Sequence, residues 1–116
     1  MSVSRRVLFS AACIAARVEE LAAQLADLSD PPERLVPVLT GAFVFAADLA
    51  RVLARNGLDL PIDWLWLSSY AMARSQGSVV VRAAPDGEVR NAHLLLIDGV
   101  LDSGRTLATA IELLTA

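Results

Sequence analysis

Several features that often reveal a function class are scarce in this sequence. It contains one cysteine, Cys13, so no internal disulfide can form, and a reducing compartment, the cytoplasm, is expected. No apolar run approaches the roughly 18 residues of a membrane span. The net charge of −3 disfavours nucleic-acid binding, which needs a basic face. We therefore expect neither a membrane nor a nucleic acid as a partner.

What the chain does contain is apolar aliphatic residues. Of its 116 residues, 55% are hydrophobic and only 5% are aromatic. This length predicts a single domain, residues 1–116, that is near the lower size limit for a self-sufficient core. Because the chain is both short and apolar, we expect some of its surface to be covered in a homo-oligomer.

The N-terminal segment allows two interpretations. The stretch SRRVLF, Ser4 to Phe9, resembles a twin-arginine export signal. The apolar segment is short, however, and it continues into a charged helix in which Cys13 is expected to be buried or half-buried. The favoured interpretation is this helix, because apolar residues recur at the spacing of one helical face: Ile14, Val18, Leu21, Leu25 and Leu28.

Periodicity and turn signals predict helices and strands that alternate along the chain. The predicted helices are 10–28, 42–55 and 105–114, and the predicted strands are 35–39, 62–69, 78–82 and 94–98. This alternation predicts an α/β fold with a parallel sheet flanked by helices. Ligands of such sheets bind at the carboxyl ends of the strands. Three segments fall there: Thr40–Gly41, the segment after Ser69–Tyr70, and Asp98–Arg105.

The last of these segments, within LLLIDGVLDSGRTL, combines an anion site with carboxylates. Free backbone N–H groups and the helix dipole at the start of a helix favour a phosphate; the residues there are Ser103, Gly104, Arg105 and Thr106. Asp98 and Asp102 repel phosphate, but they suit ribose hydroxyls, Mg²⁺ or a proton transfer. A ligand with a phosphate, a sugar and a metal ion meets all of these demands.

Two other interpretations of this segment compete. GVLDSGRT matches a nucleotide-binding P-loop except that Arg105 replaces the lysine. That loop would set Asp102 against the phosphates, and too few residues follow Thr106 for the later strand with its metal-binding aspartate. The second interpretation makes Asp102 and Ser103 a helix cap and Asp98 a charge at the end of a strand.

The segment resembles the phosphoribosyl-pyrophosphate signature of type I phosphoribosyltransferases: aliphatics, two acids, two aliphatics, Asp, Thr or Ser, Gly, any residue, Thr. Three other stretches resemble the hypoxanthine-guanine branch of that family. RRVLFS with IAARVEELAAQL resembles its first helix, VLTGAFVFAADLARVL its pyrophosphate loop and second helix, and DWLWLSSY the strand that enters its flexible loop. The likeness spans nearly the whole chain in the same order.

The resemblance implies a Rossmann-like fold and a role for each matched residue. Asp98 would contact the ribose hydroxyls and Mg²⁺, and Asp102 would exchange a proton with N7 of a 6-oxopurine base. The residues Ser103, Gly104, Arg105 and Thr106 would bind the 5′-phosphate. The pyrophosphate loop would be Leu39, Thr40 and Gly41, with a first peptide bond that is commonly cis in the family. Ser69 and Tyr70 would begin the loop that closes over the reacting centre.

Three departures from the family pattern bear on activity. Gly99 stands where the second acid of the pair belongs and is expected to loosen the strand end, and Thr40 replaces a lysine. The C-terminal strands and the hood that grips the base have no counterpart in these 116 residues. The sequence therefore predicts a hypoxanthine-guanine phosphoribosyltransferase that forms IMP or GMP. The alternative is a non-catalytic relative that binds phosphoribosyl pyrophosphate or a nucleotide as a sensor or subunit partner.

Overall fold

The computed structural model describes residues 3–69, 79–85, 89–100 and 104–115. In chain order the elements are α1 (Ala11–Ala26), β1 (Arg34–Leu39), α2 (Phe43–Arg55), β2 (Leu65–Ser69), β3 (Val79–Ala83), β4 (Leu94–Ile97) and α3 (Arg105–Thr115). Each predicted helix and strand is present, within a few residues of its expected ends. In the described part of the chain, no helix is long and apolar enough to cross a membrane.

The strands form one sheet in the order β3-β2-β1-β4. β1 pairs in parallel with both β2 and β4, as expected, but β3 is antiparallel to β2, so the sheet is mixed. Only nine residues separate Ser69 from Val79, whereas a parallel crossover needs a dozen or more. The short connection therefore accounts for the direction of β3.

Helices cover both faces of the sheet and divide the core into two clusters. On one face, α1 and α2 pack against β1, with Val18, Leu49 and Leu53 at the centre of that cluster. On the other face, Ala110 of α3 packs against alternate residues of β1 and β2, including Val38. Because β1 contributes side chains to both clusters and has a neighbour on each side, it is the central strand of the fold.

The ends of α1 and α2 follow from their sequences. Ser10 caps α1 by accepting a hydrogen bond from the backbone N–H of Cys13 at 3.1 Å. Gly57, with φ +89°, ends α2 in the left-handed conformation that glycine adopts readily. Cys13 itself is exposed, so the prediction that it is buried is wrong: it lies off the apolar stripe of α1.

Candidate active site

The candidate site lies where the carboxyl ends of β1 and β4 meet. α2, which follows β1, and α3, which follows β4, cover opposite faces of the sheet. Because the two helices leave neighbouring strands on opposite faces, a crevice opens between β1 and β4. A cavity of about 290 Å³ occupies this position. The topology therefore places a ligand-sized space where α/β sheets bind their ligands.

The cavity is lined by residues from four elements or the loops that follow them: Val38, Leu39, Thr40, Gly41, Leu67, Asp98, Gly99, Val100 and Thr106. The structure thus brings together the expected pyrophosphate loop, the first acid of the signature and one residue of the phosphate cradle. These segments are far apart in sequence, and the parallel pairing of β1 with β2 and β4 is what unites them.

The loop after β1 is short and tightly turned. The Leu39–Thr40 peptide bond is cis, as expected from the resemblance. The backbone N–H of Ala42 donates to the carbonyl of Val38 at 3.2 Å, and the N–H of Phe43 donates to Thr40 at 3.3 Å. Thr40 supplies a hydroxyl where the resemblance implies a lysine.

The Asp98 side chain is half-buried at the end of β4. One of its carboxylate oxygens, Oδ1, accepts a hydrogen bond from the backbone N–H of Gly99 at 2.7 Å. This local bond orients the carboxylate at the rim of the cavity, where it can accept hydrogen bonds from a diol or contact a hard cation. Among the described residues, no group of three or more His, Cys, Asp or Glu side chains could hold a metal ion.

Gly99 has a structural role that the sequence did not reveal. A Cβ atom built on Gly99 would lie 2.9 Å from the carbonyl oxygen of Gly41 and 3.3 Å from its carbonyl carbon. The strand end therefore lies close to the pyrophosphate loop, and the expectation that Gly99 loosens it stays a prediction. Glycines after two neighbouring parallel strands are the one sequence signal that could have indicated this contact.

The start of α3 is a candidate anion site. Gly104 adopts φ +85° just before the helix, and its carbonyl accepts from the N–H of Ala108 at 2.9 Å. Arg105 is exposed, whereas Thr106 is half-buried and faces the cavity. The first N–H groups of a helix have no partner within the helix, so this end can bind a phosphate.

Some predicted site residues cannot be placed. Asp102, Ser103 and Tyr70 lie outside the described residues, as does the side chain of Ser69. The backbone of Ser69 ends β2 and pairs with Val79, so it lies at the same edge of the sheet as the cavity.

Comparison with known proteins places these observations in context. The family described as the phosphoribosyl transferase domain matches residues 8–116 of this chain. Hypoxanthine-guanine phosphoribosyltransferase of Dictyostelium discoideum is 34% identical over 116 residues, with 97% of this chain and 64% of that protein covered. The chain spans less than two thirds of the length of this relative.

Two solved structures have the same fold over almost all of this chain. The hypoxanthine-guanine enzyme of Leishmania donovani superposes with a TM-score of 0.79 at 28% identity, covering 95% of this chain and 64% of that one. Hypoxanthine phosphoribosyltransferase of Trypanosoma cruzi, a mutant solved as a ternary substrates complex, gives a TM-score of 0.81 at 26% identity, with 97% and 65% covered.

Proposed function

This chain belongs to the phosphoribosyltransferase family, and from that premise we propose that it transfers a phosphoribosyl group to a 6-oxopurine base. The products would be IMP from hypoxanthine or GMP from guanine, which makes purine salvage the process it serves. Support comes from relatives named hypoxanthine-guanine phosphoribosyltransferase and from the similar fold of the Trypanosoma cruzi enzyme in its ternary complex.

The observation that carries the proposal is the cavity at the carboxyl ends of β1 and β4. It joins the loop Leu39–Gly41, the Asp98 carboxylate and Thr106 of α3 around one space of about 290 Å³. Phosphoribosyl pyrophosphate carries a diphosphate, a diol and a 5′-phosphate on one sugar. Each of these groups has a complementary feature in the cavity wall. The competing interpretation, in which the signature segment only caps α3, gives no reason for the loop after β1 to lie beside it.

We assign the roles as follows. Backbone donors of Leu39, Thr40 and Gly41 bind the diphosphate, and Asp98 accepts hydrogen bonds from the ribose hydroxyls. The 5′-phosphate lies at the start of α3, against Ser103, Gly104, Arg105 and Thr106. Ser69 and Tyr70 begin the segment that excludes water from the reacting centre. Asp102 holds the proton of purine N7.

In the reaction, N9 of the base forms a bond to the anomeric carbon of the ribose. The bond from that carbon to the diphosphate oxygen breaks, and the electron pair leaves with the diphosphate. The N–H proton that the base loses passes to the Asp102 carboxylate. The chain contributes position and electrostatic stabilisation, and no residue forms a covalent bond to the sugar.

Magnesium is the proposed cofactor. Mg²⁺ is commonly held in proteins by one or two carboxylates together with substrate phosphates and water, and the single described carboxylate at the cavity, Asp98, fits that pattern. When bound, the ion would neutralise charge on the diphosphate. Because Gly99 replaces the second acid, the diphosphate must supply a larger share of the oxygen ligands.

A second candidate function is ligand binding without turnover. The short distance of 2.9 Å between the Gly41 carbonyl oxygen and a Cβ atom built at position 99 favours it, because the loop takes up space that a second carboxylate would need. The absence of lysine at position 40 also weakens the grip on the diphosphate. In this case the chain would bind phosphoribosyl pyrophosphate or a nucleotide as a sensor or subunit partner.

One experiment separates the two candidates. The chain is incubated with phosphoribosyl pyrophosphate, Mg²⁺ and a mixture of hypoxanthine, guanine, xanthine and adenine, and nucleotide is detected by mass. Product that disappears in Asp102→Asn supports the transferase and identifies its base. Binding of phosphoribosyl pyrophosphate in a calorimeter without product supports the sensor, and neither binding nor product contradicts both.

We further propose that residues 1–116 form one domain that assembles as a homo-oligomer in the cytoplasm. Trp64 lies just before β2 and Trp66 lies within it, and the two side chains are 43% and 41% exposed. Large exposed apolar side chains favour a protein contact. Sedimentation velocity tests this: a single species at the 12.3 kDa of one chain, independent of concentration, would contradict it.

A further inference from the structure

The residues before α1 form an exposed apolar segment, residues 3–9, which we call the N-terminal arm. The arm belongs to no helix or strand. Its three consecutive large apolar side chains, Val7, Leu8 and Phe9, are 77%, 72% and 71% exposed. Single exposed apolar residues are common on protein surfaces, but a contiguous group marks a contact site. The ligand cavity uses none of these residues.

A groove lies between α1 and α2, and we call it the α1–α2 groove. It has a volume of about 430 Å³, and its apolar wall consists of Ala11, Ile14, Ala15, Val18 and Val52. Ile14 is 53% exposed, so the apolar stripe of α1 extends beyond the part that α2 covers. The small side chains at positions 11 and 15 leave room for a further segment of chain.

The charges of the arm complement those of the remaining chain. Arg5 and Arg6 are two of the 10 basic residues, and all 13 acidic residues follow the arm. Glu19 and Asp48 lie at the rim of the α1–α2 groove, with side chains 55% and 56% exposed. Both contact an arginine of their own chain. Because an ionised carboxylate has about four acceptor sites, each can also accept a hydrogen bond from an arginine of an arm.

The exposure of Val7, Leu8 and Phe9 shows that the arm does not occupy the groove of its own copy. The arm ends just before Ala11, where the groove begins. If the first turns of two α1 helices pack antiparallel about a two-fold axis, each arm continues along the groove of the other copy. Seven extended residues span at most about 25 Å, and α1, with its 16 residues, is about 24 Å long. The arm is therefore long enough to follow the groove.

We propose that the N-terminal arm of one copy binds in the α1–α2 groove of a second copy, in a reciprocal exchange. Each copy carries both the arm and the groove, so one two-fold pair covers both apolar surfaces at once. The interface rests on the proposed homo-oligomer and is separate from the contact expected at Trp64 and Trp66. Its test must therefore locate the contact and not only measure the size of the assembly.

Disulfide trapping between two different variants locates the contact. Cys13 is the only cysteine, so Cys13→Ser gives a background in which each variant carries one new cysteine. A Leu8→Cys chain is mixed with an Ala15→Cys chain that bears a mass tag, and a mild copper oxidant accepts the two electrons as the thiols join. We expect the mixed covalent dimer to form at least ten times faster than with a tagged Glu112→Cys chain, whose cysteine lies on α3 at an exposed position.

Equal rates with Ala15→Cys and Glu112→Cys overturn the proposal. If sedimentation velocity still shows an oligomer in that case, the homo-oligomer stands and only the arm exchange fails. A monomer at all concentrations removes both.

Two matched variants decide whether the groove itself holds the arm. Ile14→Asp places a charge in the α1–α2 groove, whereas Ile111→Asp places the same charge on α3, and both isoleucines are 53% exposed. In the Ala15→Cys chain, Ile14→Asp should slow the trapping by Leu8→Cys at least tenfold, and Ile111→Asp should leave the rate unchanged. Circular dichroism checks that both variants are folded. Equal rates for the two variants contradict a contact in the groove.

Discussion

At the scale of single residues, the Gly41 carbonyl limits the side chain that position 99 can carry. A Cβ atom on residue 99 would lie 2.9 Å from the carbonyl oxygen of Gly41. Restoring the acid that relatives of this family carry there is therefore a packing change as well as a charge change. A sequence comparison alone suggests the charge change only, because the distance between the loop after β1 and the end of β4 is set by the tertiary structure.

We expect Gly99→Asp to lower the free energy of unfolding without improving binding of phosphoribosyl pyrophosphate. Overpacking against backbone atoms costs about 1–3 kcal/mol, and Gly99→Ala should show a similar loss because it adds the same Cβ. Val44→Asp is the control: it adds a carboxylate at a position that is 57% exposed and does not line the cavity. Denaturant unfolding and calorimetry provide the measurements. A stable Gly99→Asp that binds more tightly would mean that the loop yields to the side chain.

Asp98 offers a second test, because its amide variant keeps the local fold. In Asp98→Asn the side-chain oxygen can still accept the hydrogen bond from the Gly99 N–H, so stability should change little. Loss of the charged hydrogen bonds to the ribose should weaken binding of phosphoribosyl pyrophosphate with Mg²⁺ by roughly ten- to a hundredfold. Asp59→Asn, at an exposed position outside the cavity, should bind normally. Equal affinities for the two variants would remove Asp98 from the site.

At the scale of elements, local sequence patterns predicted the helices and strands well because each has strong periodicity and clear end signals. They predicted the direction of β3 wrongly, although the nine-residue connection between β2 and β3 is too short for a parallel crossover. The apolar stripe of α1 was also predicted correctly, yet Ile14 and Leu28 at its two ends are exposed. Periodicity identifies the apolar face of a helix. How much of that face is buried depends on the neighbouring elements that pack against it.

Two ion pairs between elements should differ in their contribution. Arg34 of β1 contacts Asp63, just before β2, at 2.6 Å, with both side chains only 22% exposed. Arg55 of α2 contacts Glu19 of α1 at 2.7 Å, with both more than half exposed. Asp63→Asn should cost about 1.5–3 kcal/mol of unfolding free energy, and Glu19→Gln less than about 1 kcal/mol.

Urea unfolding at low and high salt measures this difference. Salt should reduce the effect of Glu19→Gln more than that of Asp63→Asn, because half-buried pairs are screened less. Equal losses for the two variants would mean that the ion pair between Arg34 and Asp63 does not help to hold the register of the sheet. The register would then depend on two backbone hydrogen bonds, from the Leu35 N–H to the Pro61 carbonyl and from the Asp63 N–H to the Leu35 carbonyl.

At the scale of the whole molecule, the candidate site exists only in the folded chain. Its walls come from β1, β2, β4 and α3, and the sequence indicated most of them because each loop follows a recognisable strand. What the sequence could not supply was their spacing, since the cavity depends on the parallel register of β1 with its two neighbours. A ligand that contacts all of these walls must bind the folded state far better than the unfolded chain.

Phosphoribosyl pyrophosphate with Mg²⁺ should therefore raise the melting temperature. At a concentration about 100 times the dissociation constant, binding to the folded state alone adds about 2.7 kcal/mol. For a domain of this size that corresponds to a shift on the order of 10 °C. Differential scanning fluorimetry should detect it, with smaller shifts for Asp98→Asn and after chelation of Mg²⁺ with EDTA, and a full shift for Asp59→Asn. If ribose 5-phosphate produced the same shift as phosphoribosyl pyrophosphate, the loop Leu39–Gly41 would not be binding a diphosphate.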